Sequence, residues 1–155
     1  MQRRSFAISA AATAAITGLA LPDAASAAGE PQQTANQRTV LAFYEAGLNR
    51  KDFGAAAQYL GPTYQQHNPM AADGVEGFRQ FVEYLRTHLP QRHSTIVRSF
   101  ADGDYVILHV HAQDGPNDRG KAIVDIFRLA QGKIVEHWDV IQPVPEKAAN
   151  PNGMF

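Results

Sequence analysis

Two glycine-centred turns constrain this chain more than any other feature. In "FADGDY" and in "LAQGKI" a glycine stands between stretches that alternate apolar and polar residues. Glycine enters the left-handed region without steric cost, so it is the residue that sends one strand back along another. Two such hairpins make the segment from Pro90 to Pro143 a curved antiparallel sheet in which every second residue shares a face. The spacing predicts three-residue loops, a type I turn closed by a bulge. That register sets Leu129 opposite Lys133, Phe127 opposite Val135, Asp125 opposite His137 and Ile123 opposite Asp139. In the first hairpin it sets Ser99 opposite Tyr105 and Val97 opposite Ile107. Asp125, His137 and Asp139 then share a face with Ile123, Phe127 and Ile141, while Trp138, Arg128 and Glu136 lie on the other. Tyr105, Ile107, His109 and His111 occupy one side of their strand, and Val106, Leu108 and Val110 the opposite side.

Ahead of the sheet the period changes. Val40, Leu41, Phe43, Tyr44 and Leu48 recur at helical spacing and predict an amphipathic helix from about Thr34 to Asn49. Asp52 is placed to cap a shorter helix, "FGAAAQYL", ended by Gly61-Pro62. "TYQQHNP" reads as a short extended piece in which Asn68 starts a turn before Pro69. "GVEGFRQFVEYLRTHL" aligns Val75, Phe78, Phe81, Val82 and Leu85 on one stripe, stopped by Pro90. His88 and His93 flank that proline and read as surface residues. Helices followed by an antiparallel sheet make an α+β domain whose helices cover one sheet face.

With 155 residues and 45% hydrophobic content the chain supports one core rather than two. Its net charge of -1, with no run of either sign, lacks the footprint of a nucleic-acid binder. The absence of cysteine excludes disulfides, thiol nucleophiles and thiolate metal sites. The first residues read as an address. Arg3 and Arg4 precede an uncharged run from Ala7 to Leu21, and Ala25-Ser26-Ala27 offers a small-residue cleavage site. "RRSF" is similar to a twin-arginine export signal. The organisation expected is therefore an export signal over 1–27, a polar lead-in over 28–34, a domain over 35–145 and a tail over 146–155. The working protein would be periplasmic or secreted, with no membrane association after cleavage.

"YQQHNP" before a Gly-Phe-rich helix, "DGDYVILHVH" and "VDIFRLAQGKIVEHWDV" resemble the SnoaL-like polyketide cyclases and their relatives in the nuclear transport factor 2-like superfamily. The hairpin "GKIVEHWD" is the most specific piece. The resemblance implies a cone-shaped barrel, a curved antiparallel sheet wrapped around the N-terminal helices with an apolar pocket at one end, and a homodimer formed through the outer sheet face. It also implies a cofactor-free cyclase or isomerase doing aldol-type acid–base chemistry on a small apolar carbonyl compound. In that reading Asp125 removes a proton from an activated methylene. His109 or His67 hydrogen-bonds the enolate oxygen, and His137 and Asp139 orient Asp125 or relay its proton. Tyr44, Tyr64, Phe78 and Phe127 would line the pocket.

Each residue also has a plainer role open to it. Asp125 can be a hydrogen-bonded structural carboxylate, His137 and Asp139 a solvated rim pair, and His67 a strand-end group bonded to backbone. The phenylalanines and tyrosines can be core. "HVH" raises the possibility of a metal held by His109 and His111 with Asp125 or His137. However, a His-x-His strand of the cupin kind comes in an almost all-strand chain with a further Glu, and neither holds here, so no metal or cofactor is expected. The competing function classes are an exported protein that binds an apolar metabolite without turnover, and a dimeric interaction module with a filled core.

Overall fold

The computed structural model describes residues 32–155. The expected export signal and the start of the lead-in fall outside these residues. Helix α1 (Gln32–Tyr44) begins within the expected lead-in. It runs into a π-helical turn, Glu45–Asn49, whose wider spacing shows in the bond from Arg50 N to Glu45 O at 2.9 Å. The asparagine that ends this turn clamps the sheet. Asn49 Nδ2 donates to Ser94 O at 3.1 Å and Ser94 N donates to Asn49 Oδ1 at 2.9 Å.

Helix α2 (Phe53–Ala57) is capped as the sequence indicates, with Ala55 N donating to Asp52 Oδ1 at 2.9 Å. It is shorter than expected, because the chain is already a strand at Leu60. Strand β1 (Leu60–Gln66) pairs with β5 (Lys133–Pro143), Leu60 lying beside Ile134. Gly61 is thus not a helix stop. A Cβ there would lie 2.7 Å from Val135 Cγ1, so glycine permits the strands to approach. Helix α3 (Gly74–His88) packs Phe78, Val82 and Leu85 inward.

Strands β2 (His93–Asp102), β3 (Tyr105–Gln113) and β4 (Lys121–Ala130) complete one five-stranded sheet in the order β1-β5-β4-β3-β2. Its curvature makes the cone, but β1 and β2 remain open edges, so the barrel is unclosed. Because β1 runs parallel to β5, the sheet is mixed rather than wholly antiparallel.

Both hairpins turn more tightly than the sequence pattern predicts. Gln131 (φ 52) and Gly132 (φ 72) form a two-residue turn with Ala130 opposite Lys133. Positive φ at both central positions is the type I′ geometry that suits the sheet's own twist. A bulge then falls between Leu129 and Arg128, after which Phe127 faces His137, Asp125 faces Asp139 and Ile123 faces Ile141. The turn shifts the register by one residue and the bulge by one more. Face parity is restored, and Asp125, His137 and Asp139 share a face although their partners differ from those expected. In the first hairpin Asp102 faces Tyr105 around Gly103 (φ 55).

Phe43, Phe127, Leu108 and Ile134 are buried on the concave side, each side chain contributing about 1.5–3 kcal/mol by leaving water. Phe127 lies edge-on to Phe43 at 5.9 Å and to Tyr44 at 6.5 Å, tying α1 to the sheet. No described helix is long and apolar enough to cross a membrane.

Candidate active site

The concave face carries a cavity of about 200 Å³. Its walls are Phe43, Phe78, Phe81, Phe127, Ile123 and Ile141, and its polar groups converge from β1, β4, β5 and α1. Asp125 sits among them, buried at 5% exposure. His137 Nε2 lies 3.0 Å from its Oδ1, and the Tyr44 hydroxyl donates to its Oδ2 at 3.2 Å.

The proton inventory of this pair follows from its neighbours. Asn68 N donates to Gln66 Oε1 at 2.9 Å, and a backbone N–H can only donate, so the atom facing it must be the amide oxygen. The same oxygen lies 2.9 Å from His137 Nδ1, so Nδ1 carries a hydrogen. The contact between Nε2 and Asp125 then needs one further proton, placed on either partner. Imidazole and carboxyl therefore form a neutral couple, as His⁺ with Asp⁻ or as His with AspH.

Asp139 is oriented by a neighbouring amide in the same way. Met70 N donates to Asn68 Oδ1 at 2.7 Å, which turns the Asn68 amide nitrogen toward the site. That Nδ2 donates to both Asp139 oxygens, at 2.9 and 2.7 Å. Asp125 and Asp139 are directly opposed across β4 and β5, an arrangement that is repulsive when both are charged. The proton held by the Asp125–His137 couple and the amide of Asn68 offset that repulsion.

Two tyrosines complete the site. Burial, then the charge of Asp125, pushes the Tyr44 pKa well above its ordinary value. The Tyr64 hydroxyl is raised for the same reasons, with Asp139 adding to the effect. Both phenols therefore stay protonated donors. Gln66 Nε2 donates to Tyr64 Oη at 3.3 Å, and no described residue accepts the Tyr64 hydrogen, which remains available to a ligand's oxygen.

Seven of the nine candidate residues thus meet around one cavity: Asp125, His137, Asp139, Tyr44, Tyr64, Phe78 and Phe127. Two do not. His109 is paired with Val124 on the convex face, where its ring stacks on Phe155 at 5.5 Å; its neighbour Leu108 is the residue opposite Asp125. His67 is also convex, stacked on Trp138 at 4.7 Å with Nε2 2.9 Å from Glu136 Oε1. Neither can reach a substrate held against Asp125. His111 lies beside Phe155 at 4.3 Å on the same convex face as His109, so a His109–His111 metal set with Asp125 is not formed. Asp125, His137 and Asp139 do bring one ligand atom each within 4.8 Å. A cation there would have to displace the shared proton of the Asp125–His137 couple.

The polar residues missed by sequence reasoning are Gln66, Asn68, Arg92 and Lys121. For the first two the signal was present. Once Tyr64 is assigned to the pocket, period two places Gln66 and Asn68 with it and sends His67 to the other side.

A mixed sheet curved around helices, with an acid–imidazole site in its concavity, defines a nuclear transport factor 2-like α+β protein. A SnoaL-like domain matches residues 40–137, and the chain belongs to that family. No curated protein matches the sequence. Among solved structures, TsrD from Streptomyces laurentii is similar with a TM-score of 0.60 and 20% identity, over 72% of this chain and 91% of that one. A Bacillus cereus ATCC 10987 protein assigned as a polyketide cyclase gives 0.59 and 21%, over 70% and 74%. A Kribbella flavida DSM 17836 protein assigned as a ketosteroid isomerase gives 0.61 and 16%, over 78% and 85%. At these identities the likeness is one of fold.

Proposed function

We propose that this SnoaL-like protein carries out cofactor-free acid–base chemistry, of the aldol or isomerase type, on an apolar carbonyl compound. The observation that carries the proposal is the buried Asp125 carboxyl, held between His137 Nε2 at 3.0 Å and the Tyr44 hydroxyl at 3.2 Å in an apolar cavity. In the His⁺–Asp⁻ form Asp125 removes a proton from a carbon next to a carbonyl. The couple then carries one positive charge, which the negative charge of the enolate balances. Tyr64, rather than His109 or His67, supplies the hydrogen bond to the enolate oxygen. Returning the proton to another carbon isomerises the compound; attack of the enolate on a second carbonyl closes a ring.

The test is solvent-deuterium exchange at the activated methylene of cyclic ketones and 1,3-diketones, followed by proton NMR. Wild type should accelerate exchange and Asp125→Asn should not. Equal rates in the two would sink the proposal. A second reading, an exported protein that binds such compounds without turnover, is favoured by one feature: both Asp125 oxygens already have protein partners. It expects binding without exchange.

The remaining proposals concern assembly and address. A second copy is proposed to cover the convex face, where Phe100, Tyr105, Ile107, Val124 and Val140 stand exposed. The pattern of residues 1–27 supports export.

A further inference from the structure

We infer that the mouth of the cavity is a carboxylate site, so that the compound taken up is an apolar ketone bearing a carboxylate at its other end. This rests on reading the cavity as the ligand site and names the class of ligand. Arg92, Lys121, Met70 and Phe81 line both the cavity and the open groove that continues from it along α3. They form the entrance.

Of the charged side chains lining the groove, Arg92 and Lys121 are cations and Asp114 is the one carboxylate, with Asp118 near enough to Lys121 to feel its charge. Arg92 Nη1 donates to Asp114 Oδ1 at 2.9 Å, and Lys121 Nζ donates to Asp114 Oδ2 at 3.0 Å. Two cations share one carboxylate. A third cation stands behind them: Lys51 Nζ donates to the Arg92 carbonyl at 2.8 Å, and burial followed by the charge of Arg92 lowers the Lys51 pKa.

The guanidinium of Arg92 also has unused capacity. Its Nε is buried and has no hydrogen-bond partner among the described residues, an unusual condition for a buried donor. Asp114 takes only Nη1, on the far side of the fork. With Nη1 on Asp114 and Nε closed off, Nη2 is the guanidinium donor without a partner among the described residues, and it is the one left for a ligand carboxylate. An anion is repelled from the inner wall by Asp139 and attracted to the mouth by Arg92 and Lys121. The ligand therefore has one orientation: carbonyl toward Tyr64 and Asp125, apolar body against Phe43, Phe78 and Phe127, carboxylate on Arg92.

The experiment is isothermal titration of the full chain with 3-benzoylpropanoate, an aryl ketone carrying a carboxylate, and with its methyl ester. Wild type should bind the acid about tenfold more tightly. Arg92→Gln should remove the difference, so that acid and ester bind with equal affinity. Lys121→Met alters a side chain that is partly exposed, and should lower the preference about threefold with the fold unchanged by circular dichroism. Equal affinities in wild type, a preference that survives both variants, or binding of neither compound would overturn the inference. Deuterium exchange next to the ketone separates the two proposals. A preference for the acid with no Asp125-dependent exchange keeps the carboxylate site and removes the acid–base reading. Exchange with no preference between acid and ester does the reverse.

Discussion

The two faces of the sheet each carry a histidine–carboxylate pair at nearly the same distance: 3.0 Å for His137–Asp125 on the concave face and 2.9 Å for His67–Glu136 on the convex one. Their surroundings differ. Glu136 also accepts from Arg128 Nε at 2.6 Å, and His67 is exposed against Trp138. A permanent cation shares that carboxylate with His67, and both of these partners reach solvent, so the pair adds little beyond a screened surface contact. On the concave face neither member of the pair is bonded to an Arg or Lys among the described residues. Asp125 must be satisfied by a phenol and by a proton shared with an imidazole whose other nitrogen is fixed by Gln66. Where solvent is excluded, the position of one proton becomes consequential. The same two residue types are a surface contact on one side and a chemical couple on the other.

The sharpest way to break this contrast is Asp125→Asn, which keeps the shape and removes the shared proton. Exchange catalysis should fall about a hundredfold to ten-thousandfold, whereas Glu136→Gln should leave it unchanged; both are read by NMR rates on one substrate. Phe127→Ala removes the ring that lies 4.7 Å from His137 and supports the couple from below. It should cost about 3–5 kcal/mol of unfolding free energy, measured by urea denaturation.

Gln66→Leu frees the tautomer of His137. The nitrogen-15 shifts of His137 should lose the signature of a protonated Nδ1, and exchange should slow about tenfold with the melting temperature little moved. An unchanged Nδ1 signal would show that Gln66 does not set the tautomer.

The smallest effect belongs to the convex pair. The hydrogen bond to His67, and then Arg128, hold the Glu136 carboxyl below its ordinary pKa. A lowered folded-state value contributes stability above the ordinary carboxylate pKa and loses it as pH falls through the lowered value. Glu136→Gln should therefore cost less than about 1 kcal/mol at neutral pH and nothing in strong acid, as shown by melting curves at the two conditions.

Much of this arrangement was legible beforehand. Asp52 as a cap, the α3 stripe of Phe78, Val82 and Leu85, and the shared face of Asp125, His137 and Asp139 follow from local rules of spacing. The errors have physical causes. The hairpins were expected to use three-residue loops, but Gln131 accepts a positive φ and makes a two-residue turn instead. Leu60 and Gly61 read locally as a helix end because the strand partner of Leu60, Ile134, lies far along the chain. His67 and His109 invite a chemical role by residue type, but the parity of their strands points them outward.

The residue pattern alone sets which side chains can share a face, because side-chain alternation along a strand is a property of the backbone. It also determined the family, through short words such as "GKIVEHWD". Which face became the concave one, and which residues from distant segments met there, came from the folded chain as a whole. Tyr44 from α1, Gln66 and Asn68 from β1 and the turn after it, and Arg92 from the approach to β2 reach Asp125 and its cavity through curvature and long-range pairing. Those depend on packing the whole core at once, and no local pattern encodes them.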